Sequence, residues 1–113
     1  MEPRLASGIW VQAHMRRLAM MGIPSFVVAR GDPVAGAVLV KVNRLDGHAA
    51  LYQRMNTLDG SPGWVKMLEG EDRRIEAAIA RQCERDRDLW VIEIEDREGR
   101  HFLDEGAGFG GGG

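Results

Sequence analysis

Glu93 and Glu95 stand two residues apart in the alternating stretch Trp90-Val91-Ile92-Glu93-Ile94-Glu95. Alternate residues of a strand share a face, so the two carboxylates would point the same way, roughly 7 Å apart. Together with Asp32 or Asp96 they make an oxygen-rich set of the kind that binds a divalent cation. The plainer reading is a solvated sheet face on which these acids pair across strands with Lys41 or Arg54, and it is favoured because such acids are mostly surface groups. His14, His48 and His101 fall on separate elements, and none has a second histidine or cysteine at ligand spacing, so a zinc site would have to be assembled by tertiary contacts. Ser7 reads as a helix cap, Ser25 and Ser61 fall in turns, and Cys83 lies on an apolar helical stripe, which leaves no activated nucleophile. Neither a nucleophile elbow nor a glycine-rich phosphate loop is present. The chemistry-bearing residues therefore assign no catalytic set and no cofactor.

The aromatic residues point elsewhere. Trp10, Trp64 and Trp90 are expected mainly in the core, but Trp64 follows the turn-forming pair Pro62-Gly63. Exposed together with Met67 and Leu68, it would make an interaction patch.

These residues must be carried by short elements. A helix is expected over residues 8–21, capped by Ser7, stopped by Gly22 and followed by Pro24, with Val11, Met15 and Leu18 as its inward stripe. Phe26-Val27-Val28-Ala29 reads as a strand, ended by Gly31-Asp32-Pro33. Residues 37–43 alternate, with Val38, Val40 and Val42 on one side and Leu39, Lys41 and Asn43 on the other. The turn Asp46-Gly47 sends the chain back through residues 49–54 as an antiparallel partner. A short strand at 64–68 precedes a second helix that opens near Gly70-Glu71-Asp72, with Ile75, Ala78, Ile79 and Gln82 or Cys83 inward. Residues 89–96 form a last strand, and residues 100–103 are expected to pair back on it. The expected fold is α+β: a two-layer domain with a mainly antiparallel sheet of about four to six strands and two helices packed on one face. Lys41, Asn43, Glu93 and Glu95 would then lie on the other, exposed face.

At 113 residues the chain has room for one such domain, residues 1–104, followed by a glycine-rich tail, residues 105–113, too poor in apolar groups to order itself. Net charge is −2, against a general binder of nucleic acid or anionic membrane. The one cysteine permits no internal disulfide, and no apolar leader or bilayer-length stretch is present, so a cytoplasmic location is expected.

Three segments carry a resemblance: residues 7–17 (SGIWVQAHMRR), 36–47 (GAVLVKVNRLDG) and 88–103 (DLWVIEIEDREGRHFL). Together they resemble a family of small alphaproteobacterial proteins known only as domain of unknown function fourteen ninety-one. The resemblance implies a single bacterial domain and brings no activity, cofactor or site residue. The element order also resembles the helix, three-strand, helix, strand core of restriction-endonuclease-like nucleases. Asp32-Pro33 and Lys41 echo the acid and the lysine of that pattern, but Leu39 occupies the position two before Lys41 where a metal-binding acid is required.

The expectation is thus a non-enzymatic module that binds a protein partner, itself or another, through a sheet face or edge, with Trp64, Met67 and Lys41 as candidate contacts. The alternative is a metal-dependent or degenerate nuclease-like domain that uses Asp32, Glu93 and Glu95 and binds nucleic acid.

Overall fold

The structure is a computed structural model and describes residues 6–56 and 62–103. Its elements run α1 (Ser7–Met20), β1 (Ser25–Ala29), β2 (Val38–Asn43), β3 (His48–Asn56), β4 (Pro62–Glu71), α2 (Asp72–Arg85) and β5 (Trp90–Glu95). The glycine tail expected at 105–113 lies outside the described residues.

Local signals set most element ends. Gly22, at φ +76°, ends α1: its amide reaches the Ala19 carbonyl at 3.0 Å, and that of Ile23 reaches Leu18 at 2.9 Å. This paired closure satisfies carbonyls that the helix leaves open. Ser7 does not cap the helix; its hydroxyl donates to the Gly36 carbonyl. The Ser7 and Gly8 amides instead donate to the Val34 and Pro33 carbonyls, so a distant loop closes the helix start. β2 and β3 form the expected antiparallel hairpin, with Leu39 opposite Gln53 and Asn43 opposite Ala49. β4 is longer than expected and pairs along β3, with an irregularity that leaves Met67 as an extra residue.

The sheet has five strands in the order β1-β5-β2-β3-β4, antiparallel throughout except that β5 runs parallel to β2. The last strand in sequence enters the middle of the sheet because it is apolar on both sides: Trp90, Val91, Ile92 and Ile94 are all buried, as are Val38, Leu39, Val40 and Val42 beside them. Strands covered on both faces lose the simple in-and-out alternation of a half-exposed sheet.

The α+β class and the mainly antiparallel sheet are as expected, but the helices lie on opposite faces rather than together. Val11 and Leu18 of α1 pack on Val38, Val40, Val42, Trp90, Ile92 and Ile94, whereas Ile75 and Ile79 of α2 pack on Leu39, Leu51, Leu89 and Val91. The face that carries Lys41 and Glu93 also carries Leu39 and Val91, which need cover from water. Burying a side chain such as Leu39 or Ile75 is worth about 1.5–3 kcal/mol, enough to recruit α2 to that face. Residues 100–103 do not pair back as a strand. Asp96 accepts the Arg100 amide and two of its guanidinium contacts, holding the chain in a turn that leads Leu103 into the α1-side core.

Candidate functional site

Lys41 and Glu93 sit opposite each other on the parallel pair β2 and β5, and α2 crosses above them. Lys41 is buried at 1% exposure, so its ammonium must find its counter-charges inside the protein. It lies 2.6 Å from Asp72 Oδ1 and 3.5 Å from Glu93 Oε1, and it donates to Glu76. Asn43 Nδ2 donates to the second oxygen of Glu93 at 3.0 Å. Burial alone would lower the Lys41 pKa; the hydrogen bonds it donates to Asp72 and Glu76 and the charge of Glu93 outweigh it and hold the pKa above the ordinary lysine value. The cluster pins the start of α2 to the centre of the sheet. The lysine expected on an exposed face is therefore unavailable to a partner, and its ammonium takes the place among these carboxylates that a cation would occupy.

The other sequence candidates are dispersed. Asp32 lies in the loop after β1, where its carboxylate accepts the Val34 and Ala35 amides and its carbonyl accepts Trp90 Nε1. This loop meets the Trp90 end of β5, about 10 Å along the strand from Glu93. Glu95 lies beyond Glu93, opposite Asn43. Among the described residues no three histidine, cysteine or acidic side chains are placed to hold a metal ion. Cys83 packs against the α2-side core, and burial raises its pKa.

Trp64 is half-buried against the α1-side core, while Leu68 packs on the α2 side, so with exposed Met67 they make no single patch. Trp10 stacks on His14, with ring centres 5.0 Å apart, and lies 5.2 Å from Trp64. His14 is buried and its Nδ1 meets Arg17 Nη2 at 2.6 Å; since guanidinium only donates, Nδ1 accepts and the ring proton sits on Nε2. Desolvation, then the charge of Arg17, push its pKa down to about 4. His101, far away in sequence, comes close to this group and meets the Tyr52 ring edge-on at 4.6 Å. The spacing of His14 and Arg17, one helical turn apart, was the only hint of this cluster in the sequence.

The free edges of the sheet differ. β4 carries Lys66, Glu69 and Glu71, with Lys66 paired to Glu69 at 3.0 Å, and such charges discourage further strand pairing. β1, with the sequence SFVVA, carries none. Phe26, Val27 and Val28 are all exposed, and among the described residues β1 has no second neighbour. The Glu95 amide donates to the Pro24 carbonyl at 3.0 Å, which fixes the alternation of the ladder. Phe26 therefore bonds inward to Glu93, while Ser25 and Val27 turn their N–H and C=O groups outward. Beside this edge lies an open groove of about 500 Å3 between α1 and the start of β1, lined by Met15, Ala19, Ile23, Pro24 and Ser25 with Arg16 at its margin. Met20 and Met21 extend the exposed apolar surface. Nothing in the spacing of residues 25–29 marked this strand as an edge, because edge status depends on where β5 inserts.

The family described as protein of unknown function DUF1491 matches residues 5–104 of this chain. The chain belongs to the DUF1491 family. A crystal structure of a DUF1491 protein from Caulobacter crescentus is 41% identical and superposes with a TM-score of 0.81, covering 88% of this chain and 95% of that one. An NMR structure of a Caulobacter crescentus DUF1491 protein gives 40% identity, a TM-score of 0.76 and coverage of 89% and 94%. The solution structure of Atu0922 from A. tumefaciens is 31% identical, with a TM-score of 0.70 over 82% of this chain and 86% of that one. No curated protein matches the chain. The resemblance read from the sequence thus holds, and the DUF1491 fold is shared across these alphaproteobacterial relatives. Among the described residues no helix is long and apolar enough to cross a membrane.

Proposed function

We propose that this DUF1491 protein is a cytoplasmic interaction module that takes up an extended segment of a partner protein by strand addition at β1. One observation carries the reading: an uncharged edge strand presents outward backbone groups at Ser25 and Val27 directly beside an apolar groove. In strand addition, main-chain hydrogen bonds supply affinity and a pocket for alternate side chains supplies selectivity. β1 has an irregularity between Val27 and Ala29 that limits regular pairing to residues 25–27. A second copy would offer only the same bulged strand, whereas a flexible segment can follow the bulge and place a side chain in the groove. The cytoplasmic setting rests on the single thiol, which builds no internal disulfide.

The test is capture of partners from native lysate on the full chain, followed by amide hydrogen exchange with the purified partner. The expected result is slowed exchange at Ser25 and Val27 and loss of capture by Val27→Lys. A partner that leaves those two amides unprotected overturns the assignment, and a stable homodimer protecting the same amides replaces the heterologous partner with a second copy.

A further inference from the structure

Arg16 borders the groove beside β1, and Arg30 follows the strand at its other end, with its guanidinium 5.5 Å over the ring of Trp90. Trp90 belongs to the α1-side core, so Arg30 lies on the same face of the sheet as the groove. Both arginines are exposed, and among the described residues neither forms an ion pair. Glu93 and Glu95 of the neighbouring β5 project from the opposite face, where Glu93 is held by Lys41 and Asn43, and Asp32, two residues past Arg30, directs its carboxylate to the Val34 and Ala35 amides. The α1-side margin of β1 is therefore an apolar trough lined in part by Arg16, with a second exposed cation, Arg30, just past the end of the strand.

A chain added to β1 would turn every second side chain toward this trough. The side chain beside Ser25 and Ile23 meets apolar walls with Arg16 among them, and same-face side chains further along the strand run in the direction of Arg30. We infer that the segment β1 accepts is acidic, with an aliphatic side chain for the groove and an aspartate or glutamate two residues from it on the same face. This rests on the strand-addition reading and specifies its partner. Carboxylates suit the site because planar guanidinium groups pair with them bidentately, and because complementary charge sets register and partner choice along an otherwise repetitive backbone ladder. A basic or neutral segment would find the same backbone groups but leave both arginines without a counter-charge.

The experiment uses a displayed library of random linear nonapeptides selected on the full chain and on two variants, Arg16→Glu and Val27→Lys. Neither substitution touches a buried partner, so both proteins should melt with the wild type. The wild type should enrich sequences with an acid two residues from an aliphatic. The best of these, made as a free peptide, should bind Arg16→Glu about tenfold more weakly and regain affinity when its acid is changed to lysine. Enrichment of neutral or basic sequences, or equal affinity for Arg16→Glu, overturns the charge rule while leaving strand addition standing if Val27→Lys still fails to bind. Equal binding by Val27→Lys, or no enrichment on the wild type, overturns strand addition itself.

Discussion

Replacing Lys41 with methionine keeps an unbranched side chain one atom shorter and removes its charge, leaving three carboxylates that had shared one buried cation. The Lys41 side chain is 2% exposed, and Glu93, at 10%, has little access to water and, among the described residues, the Asn43 amide as its remaining donor. Breaking one side of a buried pair costs about 3–5 kcal/mol. Asp72 and Glu76 are 38% and 49% exposed and can rehydrate, so the expected loss for Lys41→Met is about 2–4 kcal/mol. For a domain of this size that lowers Tm by about 10–25 °C. Urea unfolding at pH 7, followed through tryptophan fluorescence, measures it directly. The second arm is Glu93→Gln. On the wild type it should cost about 1 kcal/mol, and on Lys41→Met it should recover a similar amount, because the amide needs no counter-ion. The reasoning fails if Lys41→Met lies within about 0.5 kcal/mol of wild type, or if Glu93→Gln adds its full cost to that variant. The raised Lys41 pKa adds a pH signature. Its stabilisation is complete below the ordinary lysine value of 10.5 and is lost as pH climbs through the higher folded value, a loss that Lys41→Met should not show.

His14 gives the opposite pH dependence. With a folded pKa of about 4 against 6.5 unfolded, its neutral form stabilises the protein fully above pH 6.5, and up to about 3 kcal/mol is lost as pH falls toward 4. Melting curves across that window, with His14→Gln lacking this component, test it. Gly31→Ala should cost more than about 2 kcal/mol, because a Cβ there would lie 2.2 Å from the Asp88 carbonyl and main chain would have to move; chemical denaturation reads the loss. Val27→Lys should leave stability within about 0.5 kcal/mol of wild type while abolishing partner capture, since Val27 is exposed on a free edge.

Much of this protein could be read locally. The stop of α1 at Gly22, the β2–β3 hairpin, the apolar run of β5 and the inward stripe of α2 all follow from residues within one or two turns of each other. The family likeness also lay in the sequence. Ser7 shows the limit: its hydroxyl looked like a cap because caps are local, but it bonds Gly36, a residue brought near only by folding. His14 and His101 show the same limit, since no spacing along the chain brings them together.

What the sequence alone determined was the two helices and five strands, though not the turn that replaces a strand at 100–103, and which side chains share a side of each strand. Whether the side bearing Leu39, Lys41 and Asn43 faced water or a helix was undecided, because an alternating pattern fits either. Only the tertiary structure answered that, by laying α2 over Leu39 and Val91 and so turning a surface lysine into the buried centre of an ion cluster. It also decided that β5 enters between β1 and β2, which leaves β1 at the edge with its outward amides free. Strand order is fixed by long-range burial on both faces of a strand, and that is a property of the packed molecule rather than of any segment within it.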